Sequence, residues 1–467
     1  MSPWDLVLTD EQHAAAQAHL FPGDGYEAAV ILLCRSAAPA ARRLMTVAML
    51  PVPHDACAHR SAARLVWPGE ALAEAADRAE ADGLTVILLH SHPGGMLAFS
   101  GVDDDSDQVA VRALIDGWSG PAPEAGHGSA IMVPSGAMIG RLYGTGMVPE
   151  SMGKIVVAGE DLRFQFHGDA DDGAPMAFGA GMTRLLSRLH ACVVGVSGTG
   201  SILAEQAARM GFGAVTLIDF DHVEPKNLNR ILNSTVADAE ARRLKVEMFA
   251  EAIRTYRPDV TVIAEAGTVA SRDGVLAAAA ADVLFCCVDS AEGRYVADMV
   301  GQAFMIPVID MGVTIPTWRR PDGRPAIAEV SGRIEYVRPG GPTLGDRGVY
   351  TPEALAAEYL ARTAPDAFAA RRAEGYIKGA PEEAPSVIAL NMRAASAAML
   401  EFVARICPFR HEPNADHARS SFALADGDTD IIPASAIART GFIGTGKGFG
   451  EPLLAGYLHQ GGNEAAA

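Results

Sequence analysis

The sequence is poor in aromatic residues, in basic charge and in long apolar runs. Phe, Trp and Tyr make up 6% of the 467 residues, and 38 Lys and Arg face 57 Asp and Glu, a formal net charge of −19. Because nucleic-acid binding needs clustered basic residues, this balance predicts no nucleic-acid partner. No apolar run is long enough to cross a bilayer, and the start has no basic region followed by an apolar run. We therefore expect a cytoplasmic protein with no membrane partner.

Paired cysteines are also absent. The six cysteines form no Cys-x-x-Cys motif, and they are Cys34, Cys57, Cys192, Cys286, Cys287 and Cys407. Several of them lie inside apolar runs that are typical of buried strands. The pattern predicts reduced core thiols, and neither a disulfide framework nor a cysteine zinc site.

The apolar runs that are present form two blocks. In residues 1–150, strand-like runs at 27–33 and 84–89 lie on either side of a segment at 69–82 that is rich in alanine and acids and predicts a helix. Residues 151–183 are predicted to be a connector with little core.

The second block, residues 184–467, alternates strand-like and helical segments. Its strand-like runs are 191–195, 214–219, 260–264, 283–288 and 308–310. This alternation predicts an α/β fold in which helical crossovers connect the strands of a mostly parallel sheet.

Two histidines follow the run at 84–89. His90 and His92 stand at alternate positions as the chain leaves the strand, so both imidazoles can point to the same side. With Asp103 they offer three ligands and leave the fourth tetrahedral position to water, as in a catalytic zinc site. Ser100 is placed where a hydroxyl can stabilise an oxyanion. The alternative is a pair of ordinary surface histidines.

The complete string, His-x-His, seven residues, Ser, two residues and Asp, resembles the signature of the JAMM (JAB/MPN-plus) metalloproteases. The resemblance implies that residues 1–150 form a JAB/MPN α+β domain that binds Zn²⁺ through His90, His92 and Asp103. It also implies that Glu27 is the general base, against the alternative of a solvated glutamate at a strand edge. JAMM proteins hydrolyse isopeptide or peptide bonds after the C-terminal glycine of ubiquitin-like proteins.

A glycine-rich turn lies between the first strand and helix of the second block. Gly195, Gly198 and Gly200 would let the backbone approach a phosphate at the N-terminus of the helix, a weak signal by itself. The next strand ends at Asp219. An NAD enzyme would need only this one acid, to bind the ribose. Because a forked guanidinium suits phosphate oxygens, the Arg230 that follows indicates a triphosphate and disfavours NAD.

Together with Asn227, Lys245 and Asp289, these residues resemble the ubiquitin-activating/ThiF superfamily of adenylyltransferases. The resemblance implies a Rossmann-like ThiF-type domain that binds ATP and Mg²⁺. Asp219 would hold the ribose hydroxyls, Asp289 would hold the Mg²⁺, and Asn227, Arg230 and Lys245 would orient and neutralise the triphosphate. The C-terminal carboxylate of a ubiquitin-like protein would attack the α-phosphate.

The nucleophile that would receive the activated protein is not evident. Many relatives have Cys-x-x-Cys where this chain has Thr343 and Asp346, which predicts that a structural zinc is missing, and no cysteine lies between Cys287 and Cys407. Three interpretations stay open: adenylation is the only step, Cys407 is used, or a hydroxyl forms an oxyester. The hydroxyl candidates are Thr343, Thr351 and, behind them, Thr363.

These patterns predict one polypeptide that processes and activates a ubiquitin-like protein with a C-terminal glycine. The implied partners are that protein, a ubiquitin-conjugating-like enzyme and a second copy in a homodimer, as in a compact bacterial conjugation system. The main alternative is adenylation for a sulfur-carrier or peptide-modifying pathway without a conjugating enzyme. Two further interpretations stay open, a scaffold with a dead site and an NAD oxidoreductase.

Overall fold

The apolar runs of the sequence form two separate sheets. The computed structural model of the chain describes residues 3–38, 41–169, 173–366, 368–369, 387–440 and 444–450. The chain divides into a first unit of residues 1–174, 303–305 and 444–449 and a second unit of residues 175–302, 306–443 and 450–467.

The first unit has a nine-stranded mixed sheet. Its strands are β1 (Asp5–Thr9), β2 (Ala29–Ala38), β3 (Ala41–Pro51), β6 (Thr85–Ser91), β7 (His127–Met132), β8 (Met138–Tyr143), β9 (Pro149–Ser151), β10 (Lys154–Ala158) and β11 (Leu162–Phe166), with a small hairpin of β4 (His59–Arg60) and β5 (Leu65–Val66) beside it. The order is β11-β10-β1-β3-β2-β6-β7-β8-β9. Strand β1 runs parallel to β10 and β3, and β6 runs parallel to β7.

Helices cover both faces of this sheet. They are α1 (Asp10–Leu20), α2 (Gly69–Asp82) and α3 (Gly101–Gly117). Strand β2 alternates between two cores: Val30 and Leu32 share one core with α1, whereas Ile31 and Leu33 share the other with α2 and α3. Burial on both faces explains why β2 has an unbroken apolar sequence. The predicted helix at 69–82 is confirmed.

The predicted connector at 151–183 is wrong over its first part. Residues 154–158 and 162–166 form β10 and β11, and β10 pairs with β1 as a parallel neighbour. Strand β1 thus lies between β3 and β10, and β10 comes from far along the sequence. The first unit therefore extends to about residue 174, beyond the predicted limit of 150.

The second unit contains an eight-stranded sheet and a small hairpin. Its strands are β12 (His190–Val194), β13 (Ala214–Ile218), β14 (Thr261–Glu265), β15 (Val283–Cys286), β16 (Val308–Thr314), β17 (Thr317–Arg319), β18 (Pro325–Ile327), β19 (Ser331–Val337), β20 (Arg419–Ala423) and β21 (Asp428–Ile432). Its helices are α4 (Ala180–Leu186), α5 (Gly198–Met210), α6 (Val236–Glu240), α7 (Lys245–Tyr256), α8 (Arg272–Ala279), α9 (Ala291–Phe304), α10 (Pro352–Thr363) and α11 (Ile388–Ile406).

The strand order is β14-β13-β12-β15-β16-β19-β20-β21. The pairings from β14 to β16 are parallel, which confirms the predicted Rossmann-like α/β arrangement. The chain proceeds from β12 outward to β14 and then returns to β15 on the other side of β12. This reversal opens a crevice at the carboxyl ends of β12 and β15, where open α/β sheets bind ligands.

The antiparallel strands β19, β20 and β21 extend the sheet beyond β16 and were not predicted. Helix α11 packs against α5, β16 and β19. Within the described residues, no helix is both long and apolar enough to cross a membrane. The second domain was predicted to end at residue 467, and residues 451–467 lie outside the part of the chain that the structure describes.

Candidate active sites

The structure brings His90, His92 and Asp103 together in the first unit. His90 lies near the end of β6 and His92 follows that strand, while Asp103 lies in the first turn of α3. The Nε2 atoms of the two histidines are 3.1 Å apart, and they lie 3.1 and 3.5 Å from the carboxylate oxygens of Asp103. Within the described part of the chain, this is the only group of three such donors close enough to share an ion.

The donor separations fit a zinc ion. Zinc–ligand bonds of about 2.0–2.1 Å in a tetrahedron place neighbouring ligand atoms about 3.3 Å apart. The Nδ1 atom of His92 lies 2.8 Å from the carbonyl oxygen of Met96, which can only accept a hydrogen bond. Nδ1 therefore donates to this carbonyl oxygen. In the neutral imidazole the lone pair is then on Nε2 and faces the other two side chains, as in zinc-bound histidines.

Ser100 and Asp103 form a capping box that starts α3. The Asp103 carboxylate accepts the Ser100 N–H at 2.6 Å, and the Ser100 hydroxyl accepts the Asp103 N–H at 3.3 Å. Burial opposes ionisation of Asp103, but hydrogen bonds from His90, His92 and the Ser100 N–H hold its pKa below the ordinary value. The cap thus fixes the Asp103 carboxylate toward the histidines, and the Ser100 hydroxyl keeps its own proton available for donation.

Glu27 was predicted to be the first residue of the strand-like run at 27–33. In the structure it lies just before β2 and outside that strand. The β4–β5 hairpin holds its backbone: the Glu27 N–H donates to the Ser61 carbonyl at 2.8 Å, and Nε of Arg60 donates to the Glu27 carbonyl at 2.9 Å. Burial raises the pKa of the Glu27 carboxyl, while the nearby His90 and His92 lower it and Asp103 raises it. Glu27 is therefore within electrostatic reach of the three-donor cluster.

The glycine turn of the second unit needs its glycines. Gly195 has a φ of +87°, in the left-handed region that favours glycine. A Cβ atom on Gly200 would lie 1.7 Å from the Gly195 carbonyl oxygen, and one on Gly198 would lie 2.3 Å from the Asn391 side chain. The turn from β12 into α5 is therefore too tight for any other residue at position 200.

Asp219 and Lys245 meet at the end of β13. The Asp219 carboxylate accepts the N–H groups of Val196 and Asp221 at 2.7 and 2.8 Å, which joins it to the glycine turn. Lys245 begins α7, and its Nζ lies 2.7 Å from the Asp221 carboxylate and 3.9 Å from that of Asp219. Burial raises the pKa of Asp219, and the charge of Lys245 opposes this rise. Asp221, which follows Asp219 at the next alternate position, was not among the predicted site residues.

Asn227 and Arg230 lie on the loop after β13. Asn227 is buried, and its side-chain oxygen accepts the Glu224 N–H at 3.0 Å, so it stabilises the loop itself. Arg230 donates to the Lys226 carbonyl at 2.7 Å, and its Cδ would be 3.4 Å from a Cβ on Gly198. The Arg230 side chain thus lies beside the glycine turn.

Asp289 follows β15 at the same edge of the sheet and is exposed, between two half-buried neighbours. Its carbonyl oxygen accepts a hydrogen bond from Nη1 of Arg294 at 3.3 Å. The carboxyl ends of β12, β13 and β15 therefore bring the predicted nucleotide residues to one edge. Their individual roles stay predictions.

The three threonines occupy different environments. Thr343 is buried, and its hydroxyl and N–H both donate to the Asp346 carboxylate, at 3.0 and 2.9 Å. This is the geometry of a turn and not of an accessible nucleophile. Thr351 is exposed and caps α10, and the exposed Thr363 donates to the Tyr359 carbonyl at 2.8 Å. The four cysteines of the second unit, Cys407 included, are buried.

Similarity to a known family covers part of the second unit. Residues 173–337 match the model of the ThiF family. This segment is a ThiF-family domain. Similar curated proteins include ubiquitin-like modifier-activating enzyme 5 of Bombyx mori, 30% identical over 159 residues, which cover 32% of this chain and 37% of that protein. Another is the tRNA threonylcarbamoyladenosine dehydratase of Escherichia coli K12, 38% identical over 110 residues, which cover 23% of this chain and 38% of that protein.

The chain thus spans little more than a third of the length of these relatives. Among solved structures, E. coli MccB with ATP aligns with a TM-score of 0.41 and 15% identity, over 56% of this chain and 69% of that one. A likeness at that level says nothing about the reaction. The ThiF-family match does not extend to the three-donor cluster of the first unit.

Proposed function

We propose that this chain processes and activates a ubiquitin-like protein with a C-terminal glycine. The first unit would cleave the ubiquitin-like protein after that glycine with the help of zinc. The second unit would adenylate the carboxylate that this cleavage exposes. A conjugating enzyme, a homodimer and a cytoplasmic location belong to the same proposal.

The convergence of His90, His92 and Asp103 beside Glu27 supports the cleavage step. A zinc ion held by the three donors would supply Lewis acidity, which polarises a carbonyl group and makes water more acidic. Glu27 would take the proton of the attacking water and pass it to the departing amine. Ser100 would donate its hydroxyl proton to the oxygen of the scissile carbonyl.

Metal analysis tests this half. Inductively coupled plasma mass spectrometry of the purified chain should find one zinc per chain in the wild type and little in the Asp103→Ala or His92→Ala variant. His59→Ala serves as the control because His59 is an exposed histidine of the same unit. Failure of the wild type to retain or take up zinc would falsify the metalloprotease proposal.

The residues at the carboxyl edge of the second sheet support adenylation. There the Asp219 carboxylate contacts both the glycine turn and Lys245, and the Arg230 side chain lies beside Gly198. A carboxylate oxygen of the terminal glycine would attack the α-phosphorus of ATP, and the bond to pyrophosphate would break to give an acyl-adenylate. Mg²⁺ held by Asp289 would offset charge on the phosphates. Positioning and charge neutralisation would account for most of the rate.

Adenylation without a conjugating enzyme is the second candidate, and the cysteines favour it. Burial raises the thiol pKa of each of the four cysteines in the second unit, so none offers an accessible thiolate. A sulfur-carrier or peptide-modifying pathway needs no such thiol. Thr351 and Thr363 keep the oxyester alternative open because both are exposed.

One experiment separates these candidates. The Glu27→Ala variant, which cannot cleave a product, is incubated with ATP, Mg²⁺ and a ubiquitin-like protein and analysed by intact mass spectrometry. An adduct that hydroxylamine removes, and that Thr351→Ala or Thr363→Ala abolishes, supports covalent transfer. AMP formation without an adduct supports adenylation alone. Absence of AMP and of pyrophosphate exchange contradicts both candidates.

A further inference from the structure

Glu27, the proposed general base, lies at the end of the loop that connects α1 to β2. Residues 21–26 of this loop are exposed or half-buried, so little packing restrains them. Gly23 and Gly25 have φ angles of +96° and +75°, and glycine adopts many other conformations as readily. The position of Glu27 must therefore be fixed by contacts with another segment of the unit.

The β4–β5 hairpin supplies these contacts, and it binds both backbone groups of Glu27. The Glu27 N–H donates to the Ser61 carbonyl at 2.8 Å, and the Glu27 carbonyl accepts a hydrogen bond from Nε of Arg60 at 2.9 Å. Ser61 is held in turn, since its N–H donates to the Arg64 carbonyl at 2.9 Å and closes the hairpin. Because the two bonded groups of Glu27 flank its Cα atom, they limit the directions that its side chain can take.

The Arg60 side chain also binds the loop two residues before Tyr26. Nη1 of Arg60 lies 3.0 Å from one oxygen of the Asp24 carboxylate, and the other oxygen accepts the Tyr26 N–H at 2.9 Å. One guanidinium group thus connects Asp24 to Glu27. Only 12% of the Arg60 side chain is exposed, so water screens this contact less than it screens a surface ion pair.

The third nitrogen of the same guanidinium group shows what Arg60 does not do. Nη2 is buried and has no hydrogen-bond partner among the residues that the structure describes. A buried donor without a partner is unfavourable, and an apolar side chain at this position would avoid that cost. Arg60 is therefore a poor packing residue, and its favourable contribution comes from its bonds to Glu27 and Asp24.

We propose that Arg60 is a positioning residue for the general base: it holds the loop at 24–27 so that the Glu27 carboxylate faces the three-donor cluster. The inference rests on the proposed cleavage by the first unit. A general base acts only within hydrogen-bond reach of the proton that it takes, so a small displacement of the loop slows proton transfer. The three metal donors come from the end of β6 and the start of α3, so the same displacement leaves them in place.

Steady-state cleavage by the full-length chain tests this role. The substrate is a synthetic branched peptide in which Ala-Ala-Gly-Gly is joined to a lysine side chain by an isopeptide bond, with a fluorophore and a quencher on the two branches. In Arg60→Met, kcat should fall at least about tenfold, while KM and the bound zinc stay as in the wild type. Arg60→Lys should restore part of kcat, because an ammonium group can replace one of the two contacts. Arg64→Met is the control, since Arg64 is an exposed arginine of the same hairpin.

Hydrogen exchange gives a readout that needs no substrate. Mass spectrometry of the peptide that covers residues 24–29 should show faster exchange in Arg60→Met than in the wild type, because the N–H groups of Tyr26 and Glu27 lose their fixed acceptors. Exchange in strand β6 should not change. Arg64→Met should match the wild type in both segments.

Three results would overturn the inference: unchanged exchange at 24–29 in Arg60→Met, an unchanged kcat although this segment exchanges faster, or loss of zinc together with kcat. In the last case Arg60 would act on the metal donors and not on Glu27. A zinc-loaded wild type that does not cleave the branched peptide would contradict the proposed cleavage itself, and the role of Arg60 with it.

Discussion

Arg141 and Asp107 form a buried pair that holds the start of α3. Nε of Arg141, on β8, donates to the Asp107 carboxylate at 2.8 Å. The same guanidinium pairs with Asp104 at 2.5 Å and lies 3.7 Å from the centre of the Phe99 ring. It thus contacts three residues of the segment that carries Asp103 without belonging to the three-donor cluster. We infer that Arg141 positions Asp103 in the candidate zinc site.

Replacement of this arginine should weaken both the fold and the metal site. Arg141→Met leaves the buried Asp107 carboxylate without its cation, which should lower the free energy of unfolding by about 3 kcal/mol. The loosened start of α3 should also release the Asp103 carboxylate from its position. Zinc affinity, measured in competition with a chromophoric chelator, should fall by about tenfold.

Lys154→Met is the matched control. Lys154 and Asp5 form an ion pair of 3.3 Å on β10 and β1, in the same sheet. Its loss should change the free energy of unfolding by less than about 1 kcal/mol and leave zinc affinity unchanged. Equal zinc affinity in Arg141→Met and the wild type would show that the buried pair is only structural.

In the first unit, Asp103 could be predicted from the sequence and Arg141 could not. The two histidines and Asp103 follow one another within a short segment, so the sequence alone shows their chemistry and spacing. Arg141 lies 34 residues beyond Asp107 and has no recurring motif around it. Its role comes from the pairing of β7 and β8 under α3. The strand β10 was missed for the same reason, since its partner β1 lies at the other end of the unit.

The glycine turn gives a second prediction, in the second unit. Gly200→Ala places a Cβ 1.7 Å from the Gly195 carbonyl oxygen, and since that contact is with backbone, the turn must shift. Affinity for ATP, measured by isothermal titration calorimetry, should fall at least about tenfold. Gly69→Ala is the control because a Cβ on Gly69 meets nothing within 4 Å. If ATP bound both variants equally well, the nucleotide would not use this turn.

Lys245 gives a third prediction. Lys245→Met leaves the Asp219 and Asp221 carboxylates close together without their shared cation. We expect a loss of about 2 kcal/mol in the free energy of unfolding, less than for a fully buried pair because the Asp221 side chain is half exposed. AMP formation should also drop at least about a hundredfold, because the triphosphate loses a positive charge.

Arg209→Met removes an exposed pair with Glu205 on α5 and is the control for Lys245→Met. It should have little effect on either measurement. Unchanged AMP formation in Lys245→Met would assign this lysine to the fold alone.

In the second unit, the parallel strands could be predicted because their contacting residues are close together in sequence. Each βα turn at its carboxyl edge lies within one stretch of sequence, so the glycines, Asp219 and Lys245 could be found there. The antiparallel half of its sheet could not, since β20 pairs with β19 from more than 80 residues further along the chain. Its row of Arg333, Ser421 and Asp430 exists only in the register of three antiparallel strands.

A buried carboxyl group gives the last prediction, on pH. One oxygen of Asp298, in α9, accepts the Leu344 N–H at 2.7 Å and the Tyr350 hydroxyl at 2.9 Å, while its other oxygen has no hydrogen-bond partner within the described residues. Burial raises the pKa of Asp298 to about 7, although these hydrogen bonds and the charge of Arg347 lower it.

Because the folded pKa lies above the unfolded value of about 3.9, the folded state holds a proton that the unfolded state releases between these values. The contribution of Asp298 to stability is complete below about pH 4 and is lost as the pH rises through 7, by about 4 kcal/mol in all. Asp298→Asn cannot titrate, so urea unfolding should depend less on pH between about 5 and 8 than in the wild type. Tyr350→Phe removes a donor that favours the carboxylate, raises the pKa of Asp298 further and should move the loss to higher pH. Identical pH profiles in all three proteins would mean that the buried carboxyl is already ionised at the acidic end of this range.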